Sequence, residues 1–222
     1  MTKIAREIVK FFVALALLWL SVMLAIVACR LCVPVLRSRY AIVTIACFVG
    51  GILLFRWRKF TAVYVFGHEL THWIVAKCFL KETGKFRVGR TKGFVEIADT
   101  NVWITLAPYI IPFYSMLAMG VFGLSQIFLY PSPWWATLAF AVCASLGYAY
   151  HCVMTVYAIG CSQSDLKMNG EFFSLALIIA GNVLSLLLAL LLSTGQWREA
   201  WEMFSGMSLW QWGIVGRLRG GF

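Results

Sequence analysis

An α-helical polytopic membrane protein with about six transmembrane helices is the fold class this sequence predicts, and three observations predict it. Of the 222 residues, 62% are hydrophobic and 13% charged, a balance far from that of a soluble globular domain. The apolar residues gather into runs of about 20, the length that crosses a hydrocarbon core. The Lys and Arg behind the formal net charge of +10 stand in short groups at the ends of those runs, where phosphate headgroups lie. That placement argues for the lipid bilayer as partner and against nucleic acid. A single membrane domain, 1–222, fills the length and leaves no separate soluble domain.

Taken in order, Lys3, Arg6 and Lys10 precede an uncharged run from Phe11 to Cys29. The run is too long for an ordinary secretory signal and shows no small-x-small cleavage site before Arg30, so it is expected to stay as the first span. Pro34, Arg37 and Arg39 mark a connection. Ala41 to Phe55 is a short second span in which Gly50-Gly51 lets a neighbouring helix approach closely, and Arg56, Arg58 and Lys59 make a tight turn. Residues 1–59 thus form two N-terminal spans.

A core from 60 to 192 follows. Its first helix, the third span, runs from about Phe60 to Leu80. From Lys81 to Thr100 the pattern changes: Gly84, Gly89 and Gly93 punctuate alternating stretches, which predicts a β-hairpin or two short strands. The plainer alternative is a basic loop that sets Lys85, Arg87, Arg90 and Lys92 on headgroups. The fourth span, Val102 to about Gln126, contains Pro108 and Pro112, which remove backbone donors and should bend or break it beside a cavity. After the aromatic connection Tyr130 to Trp135, the fifth span covers Ala136 to Ile159 and includes His151; the sixth covers Phe172 to Leu192. The tail, 193–222, carries Trp197, Trp201, Trp210 and Trp212 among mixed charges and suits an amphipathic segment in the membrane interface.

Seven Cys are present. Cys47, Cys78, Cys143 and Cys152 lie in apolar runs as small hydrophobes, and Cys29-x-x-Cys32 lacks the second pair of a four-thiolate site, so it reads as structural. Orientation stays open, because alternate sets of connections carry about nine Lys plus Arg each.

The third span holds the stretch Val65-Phe66-Gly67-His68-Glu69-Leu70-Thr71-His72-Trp73. On a helix, positions i and i+4 share a face, so His68 and His72 can reach one metal ion, while Glu69 beside them can take a proton from water. The bland alternative, a polar cluster that merely ties helices together, must bear the cost of burying ionisable groups in lipid. A catalytic zinc site takes three protein ligands. The candidates for the third are Asp165, His151, Asp99 and Glu171. Asp165 comes first, since a carboxylate at the start of a membrane helix has little structural reason to be there beyond favouring the helix dipole. His151 is either a ligand in its place, a donor to the oxyanion formed when water adds to a peptide carbonyl, or a histidine that simply bonds a neighbouring carbonyl. The donor role is preferred.

These residues resemble the site-2 protease family of intramembrane zinc metalloproteases. The resemblance rests on His68-Glu69-Leu70-Thr71-His72 in an apolar helix, a strand-like insertion after it, and an Asp some ninety residues later at a helix start; it covers about residues 60 to 190. The family's distal motif is usually Asn or Pro followed by Leu-Asp-Gly, whereas this chain has Ser164-Asp165-Leu166 with the glycine displaced to Gly170. The resemblance implies His68, His72 and Asp165 as Zn²⁺ ligands and Glu69 as base. It also implies that the insertion, through Phe94, Val95, Glu96 and Ile97, pairs with an unwound segment of a membrane-protein substrate.

The expected function is therefore hydrolysis of peptide bonds in transmembrane or membrane-proximal segments by a multi-pass integral membrane protein, in the inner membrane if the cell is bacterial. A catalytically silent metal-binding membrane protein that acts as regulator or partner-binding module is the second reading, and a small channel or carrier the third. Substrate identity and oligomeric state are not written in the chain.

Overall fold

The computed structural model describes residues 2–161 and 164–211, with side chains described as far as 207. It is a helical protein with one small two-stranded sheet. The elements run α1 (Lys3–Arg37), α2 (Ala41–Trp57), α3 (Thr61–Cys78), β1 (Thr83–Val88), β2 (Gly93–Ile97), α4 (Val102–Ile110), α5 (Phe113–Phe128), α6 (Trp134–Gly160), α7 (Ser164–Asn169), α8 (Glu171–Thr194) and α9 (Trp197–Gln211). The predicted hairpin is present. Thr83 pairs with Ile97, Phe86 with Val95 and Val88 with Gly93 in an antiparallel ladder with one irregularity between Thr83 and Phe86.

Three helices, α1, α6 and α8, are long and apolar enough to cross a membrane, and the number rises to five if α2 with α3 and α4 with α5 each count as one bent pass. Six separate spans are not found. The second and third expected spans become a pair bent by 107°, and the fourth breaks into α4 and α5 at 79°. That second break follows the chemistry of proline. Pro112 has no N–H to continue the ladder, and the carbonyls of Tyr109 and Ile110 are left over. Side chains of α8 take them up: Asn182 Nδ2 donates to Tyr109 O at 2.8 Å and Ser185 Oγ to Ile110 O at 3.3 Å. Pro108 stays inside α4.

The helices pack in two groups around α4. In one, α1 and α8 run parallel: the rings of Phe11 and Phe172 stack at 5.7 Å near their starts, and Val27 and Leu31 meet Leu187, Leu190 and Leu191 near their ends. Helix α9 closes this cluster through Ala200, Met203 and Phe204, so the start of the tail is packed; the stretch 212–222, with Trp212, lies outside the described residues, as does the side chain of Trp210. In the other group α2 lies along α6, tied at one end by Tyr40 Oη donating to Trp134 O at 3.3 Å and packed closely at Gly51, where an added Cβ would fall 2.9 Å from that of Ala149. Helix α5 also lies on α6, with Phe122 and Phe140 stacked at 4.3 Å.

Outside these contacts large apolar side chains point outward, among them Ile42 at 81%, Val121 at 62% and Phe128 at 82% exposure. Their contiguity is costly in water and suits hydrocarbon. All seven cysteines are free thiols.

Candidate metal centre

Helix α3 supplies the first two groups. Thr71 and Gly67 are buried on the face it turns inward, and the same face carries His68 and His72, one turn apart. The third group comes from α7, the six-residue helix between the end of α6 and the start of α8. Gly170, at φ +89°, makes the sharp corner from α7 into α8 in a conformation that favours glycine.

His68, His72 and Asp165 form a group able to hold a metal ion, the one such group among the described residues. The two Nε2 atoms are 3.2 Å apart and each lies 3.8 Å from Asp165 Oδ2. A triangle with those sides has a point about 2.1 Å from all three corners, and bonds from zinc to imidazole nitrogen or carboxylate oxygen are of that length. The donor set therefore fits a zinc-sized divalent cation.

Groups around the triangle orient each donor. His72 Nδ1 donates to the carbonyl of Ile104 at 2.7 Å; a carbonyl can only accept, so the ring's lone pair is directed to Nε2 and the triangle. His68 Nδ1 lies 3.1 Å from the hydroxyl of Tyr64, one turn earlier on α3. Tyr109 Oη, fully buried on α4, donates to Asp165 Oδ2 at 3.0 Å. Asn169 Nδ2 donates to Thr105 Oγ1 at 2.8 Å and fastens α7 to α4.

Glu69 follows His68 directly and faces the hairpin. A Cβ at Gly93 would lie 2.7 Å from Val65 Cγ1 and 2.8 Å from Glu69 Cγ, so only glycine lets β2 lie this close to α3. The backbone N–H of Val95 reaches the Glu69 carboxylate. Val95 and Ile97 are partly covered, while Phe94 and Glu96 face outward, and Glu96 Oε2 accepts from the backbone of Lys85 at 3.0 Å. The N–H of Val95 that an incoming strand would use thus faces Glu69.

His151 on α6 is buried, and its Nε2 lies 3.0 Å from Asn182 Oδ1. Asn182 spends its amide N–H groups on the carbonyls of Tyr109 and Ile178, so its oxygen faces the imidazole and Nε2 is the donor. His151 stands apart from the metal group but lines, with Tyr64, Gly67, His68, Thr71 and Pro108, a cavity of about 20 Å³, room for about one water. The remaining candidates for third ligand go elsewhere. Asp99 pairs with Lys81, which holds its carboxyl below the usual carboxylate range; Glu171 stands in the first turn of α8.

Tyr64, Tyr109, Ile104, Asn169 and Asn182 were not foreseen. Only Tyr64 carried a signal, its position four residues before His68. No protein-family profile, curated protein or solved structure matches the chain.

Proposed function

We propose that the protein is an intramembrane zinc metalloprotease, similar to the site-2 protease family, that hydrolyses peptide bonds in transmembrane or membrane-proximal segments of membrane proteins. The observation that carries the reading is the triangle of His68, His72 and Asp165 with Glu69 adjoining it on α3. His68, His72 and Asp165 hold the cation. Bound there, Zn²⁺ lowers the pKa of water toward neutrality and polarises a carbonyl. Glu69 accepts a proton from water and passes it to the leaving amine, a transfer worth about 10²–10⁴ in rate. His151 lines the small cavity with His68 and donates to the oxygen that gains charge only by giving up the Nε2–H bond it makes to Asn182. Phe94 to Ile97 of β2 hold the substrate in extended form, and to do so β2 turns the N–H of Val95 from Glu69 to the substrate.

The test is Glu69→Gln. The variant keeps stoichiometric zinc and loses hydrolysis of transmembrane-segment substrates by at least a hundredfold; undiminished turnover overturns the assignment. The close packing of β2 on Glu69 at Gly93 favours one second reading, a catalytically silent metal-binding protein that acts as a regulator or partner-binding module. Stoichiometric zinc in the wild type with no cleavage of any transmembrane segment would establish that reading instead.

A further inference from the structure

The path of the chain decides which charged segments share an end of the molecule. Helix α6 ends where α7 begins, α8 starts beside the start of α1, and Thr105 near the start of α4 bonds Asn169 of α7. These termini define the α7 end. Helix α2 starts at the opposite end, where Tyr40 bonds Trp134, and by the start of α4 the chain has reached the α7 end. The whole of 41–101 therefore makes one pass, and α3, turned 107° from α2, does not cross by itself. With five passes, the segments at the α7 end are the N-terminus, the stretch from Arg56 to Asn101, and the α6 to α8 corner.

That arrangement redistributes the cations. Three precede the apolar part of α1 (Lys3, Arg6, Lys10), nine stand between Arg56 and Lys92, and one is Lys167, so thirteen of the nineteen Lys and Arg belong to the α7 end. The opposite end keeps Arg30, Arg37, Arg39 and Arg198, while Arg217 and Arg219 lie outside the described residues.

The hairpin concentrates the excess. Because Gly93 abuts Val65 and Glu69, β1 and β2 run back along α3 toward its N-terminus, so their tip, with Arg87, Arg90 and Lys92, lies toward the end of α3 that follows Arg58 and Lys59, the latter with its ammonium over the Tyr157 ring at 3.9 Å. Arg87, Arg90 and Lys92 are exposed, and none of them has an ion-pair partner among the described residues. Exposed Phe94, at 44%, stands opposite Arg87 on the outer face, and Trp57 lies beneath Arg58 at 5.0 Å. Cations interleaved with aromatics at the ends of apolar helices match the boundary between lipid phosphate and acyl chain.

We propose that the hairpin tip, with Arg58 and Lys59, is a docking surface for anionic phospholipid headgroups of the cytoplasmic leaflet. The α7 end is the cytoplasmic one by the excess of Lys and Arg in its short segments, and each cation near an anionic surface contributes about a fivefold preference for it. The surface is independent of whether the metal centre hydrolyses anything.

The experiment uses the full chain in nanodiscs of phosphatidylcholine alone and of phosphatidylcholine with one quarter phosphatidylglycerol, read by amide hydrogen exchange. Residues 89–92 are expected to exchange several-fold more slowly in the anionic discs only, an effect lost at 1 M salt and lost in Arg87→Gln/Arg90→Gln/Lys92→Gln. Unchanged exchange of α8 and unchanged zinc content show that the triple variant is folded. Equal exchange in both discs overturns the proposal. So does protection in phosphatidylcholine discs by soluble glycerophosphate or an acidic peptide, which would make the surface a site for soluble anions or protein. Impermeant thiol labelling on either side of the membrane, in a background with the seven free native cysteines replaced by serine, tests the arrangement: Thr91→Cys reacts from the cytoplasmic side and Ser38→Cys from the other, and reaction of both from one side overturns it.

Discussion

At the scale of single residues, the two imidazoles show why the triangle is built for a cation. With Nδ1 of His72 committed to Ile104, its Nε2 presents a lone pair to the Nε2 of His68 at 3.2 Å. Two lone pairs at that distance repel, so either a proton or a metal ion stands between them. The Tyr64 hydroxyl serves both states, since it can donate to His68 Nδ1 or accept from it. Tyr109 acts on the third corner: its hydroxyl holds the Asp165 oxygen that faces both histidines. Tyr109→Phe removes that donor with little loss of volume, and zinc affinity is expected to fall about tenfold, the scale on which partners of metal ligands act. Competition with a chromophoric chelator measures it. Asp165→Ala is expected to abolish stoichiometric zinc in the same assay and His151→Ala to retain it; the reverse order would move the third ligand to α6. The sequence made His68, Glu69 and His72 legible because their spacing alone places them on one turn. Tyr109 was invisible, because nothing local relates it to an aspartate 56 residues away.

Among the elements, the break between α4 and α5 and the single asparagine that mends it matter most. Asn182 is the meeting point of three helices. It satisfies Tyr109 O from the broken α4, accepts from His151 of α6, bonds Ile178 O of its own helix α8, and receives Tyr148 Oη on its own carbonyl at 3.1 Å. Asn182→Leu leaves a buried imidazole donor and a buried carbonyl without partners, at about 1–3 kcal/mol for each such group. Thermal unfolding followed by circular dichroism in detergent should show a midpoint several degrees lower, at roughly 2–4 °C per kcal/mol for a chain of this length. Zinc affinity falls less than in Tyr109→Phe if Asn182 acts on the helix break rather than on the ligand; a larger fall would show that it positions Asp165 through Tyr109. The break itself was legible, since Pro112 cannot donate. The hairpin was legible from its glycines and alternation. The direction of α3 was not, because hydropathy reports the length of an apolar run and says nothing of the 107° turn at Phe60, a residue in the left-handed region at φ +46°.

For the molecule as a whole, a cation at the candidate metal centre would be a staple as well as a ligand. His68 and His72 belong to the element that bends away from α2, and Asp165 belongs to the corner between α6 and α8, so a cation held by all three would tie the α3 and hairpin unit to the end of α6 and the start of α8. In its absence that tie rests on the Tyr109 bond to Asp165, the Asn169 bond to Thr105, the packing of α3 on α4 with the His72 bond to Ile104, and the bonds of Tyr114 and Tyr150 to the carbonyls of Val63 and Phe60. A ligand that binds only the folded chain stabilises it in proportion to the logarithm of one plus its free concentration over its dissociation constant, about 2.7 kcal/mol at a ratio of a hundred. Zinc at that level should therefore raise the unfolding midpoint of the wild type by roughly 5–10 °C. The shift is expected to survive in Glu69→Gln, whose side chain holds no corner of the triangle, and to vanish in Asp165→Ala, which unlinks α7 from α3. Differential scanning of the three proteins with zinc and with a chelator separates the outcomes. An equal shift in Asp165→Ala would mean that two histidines on one helix bind the ion alone, and that the cation does not join α3 to the rest of the bundle.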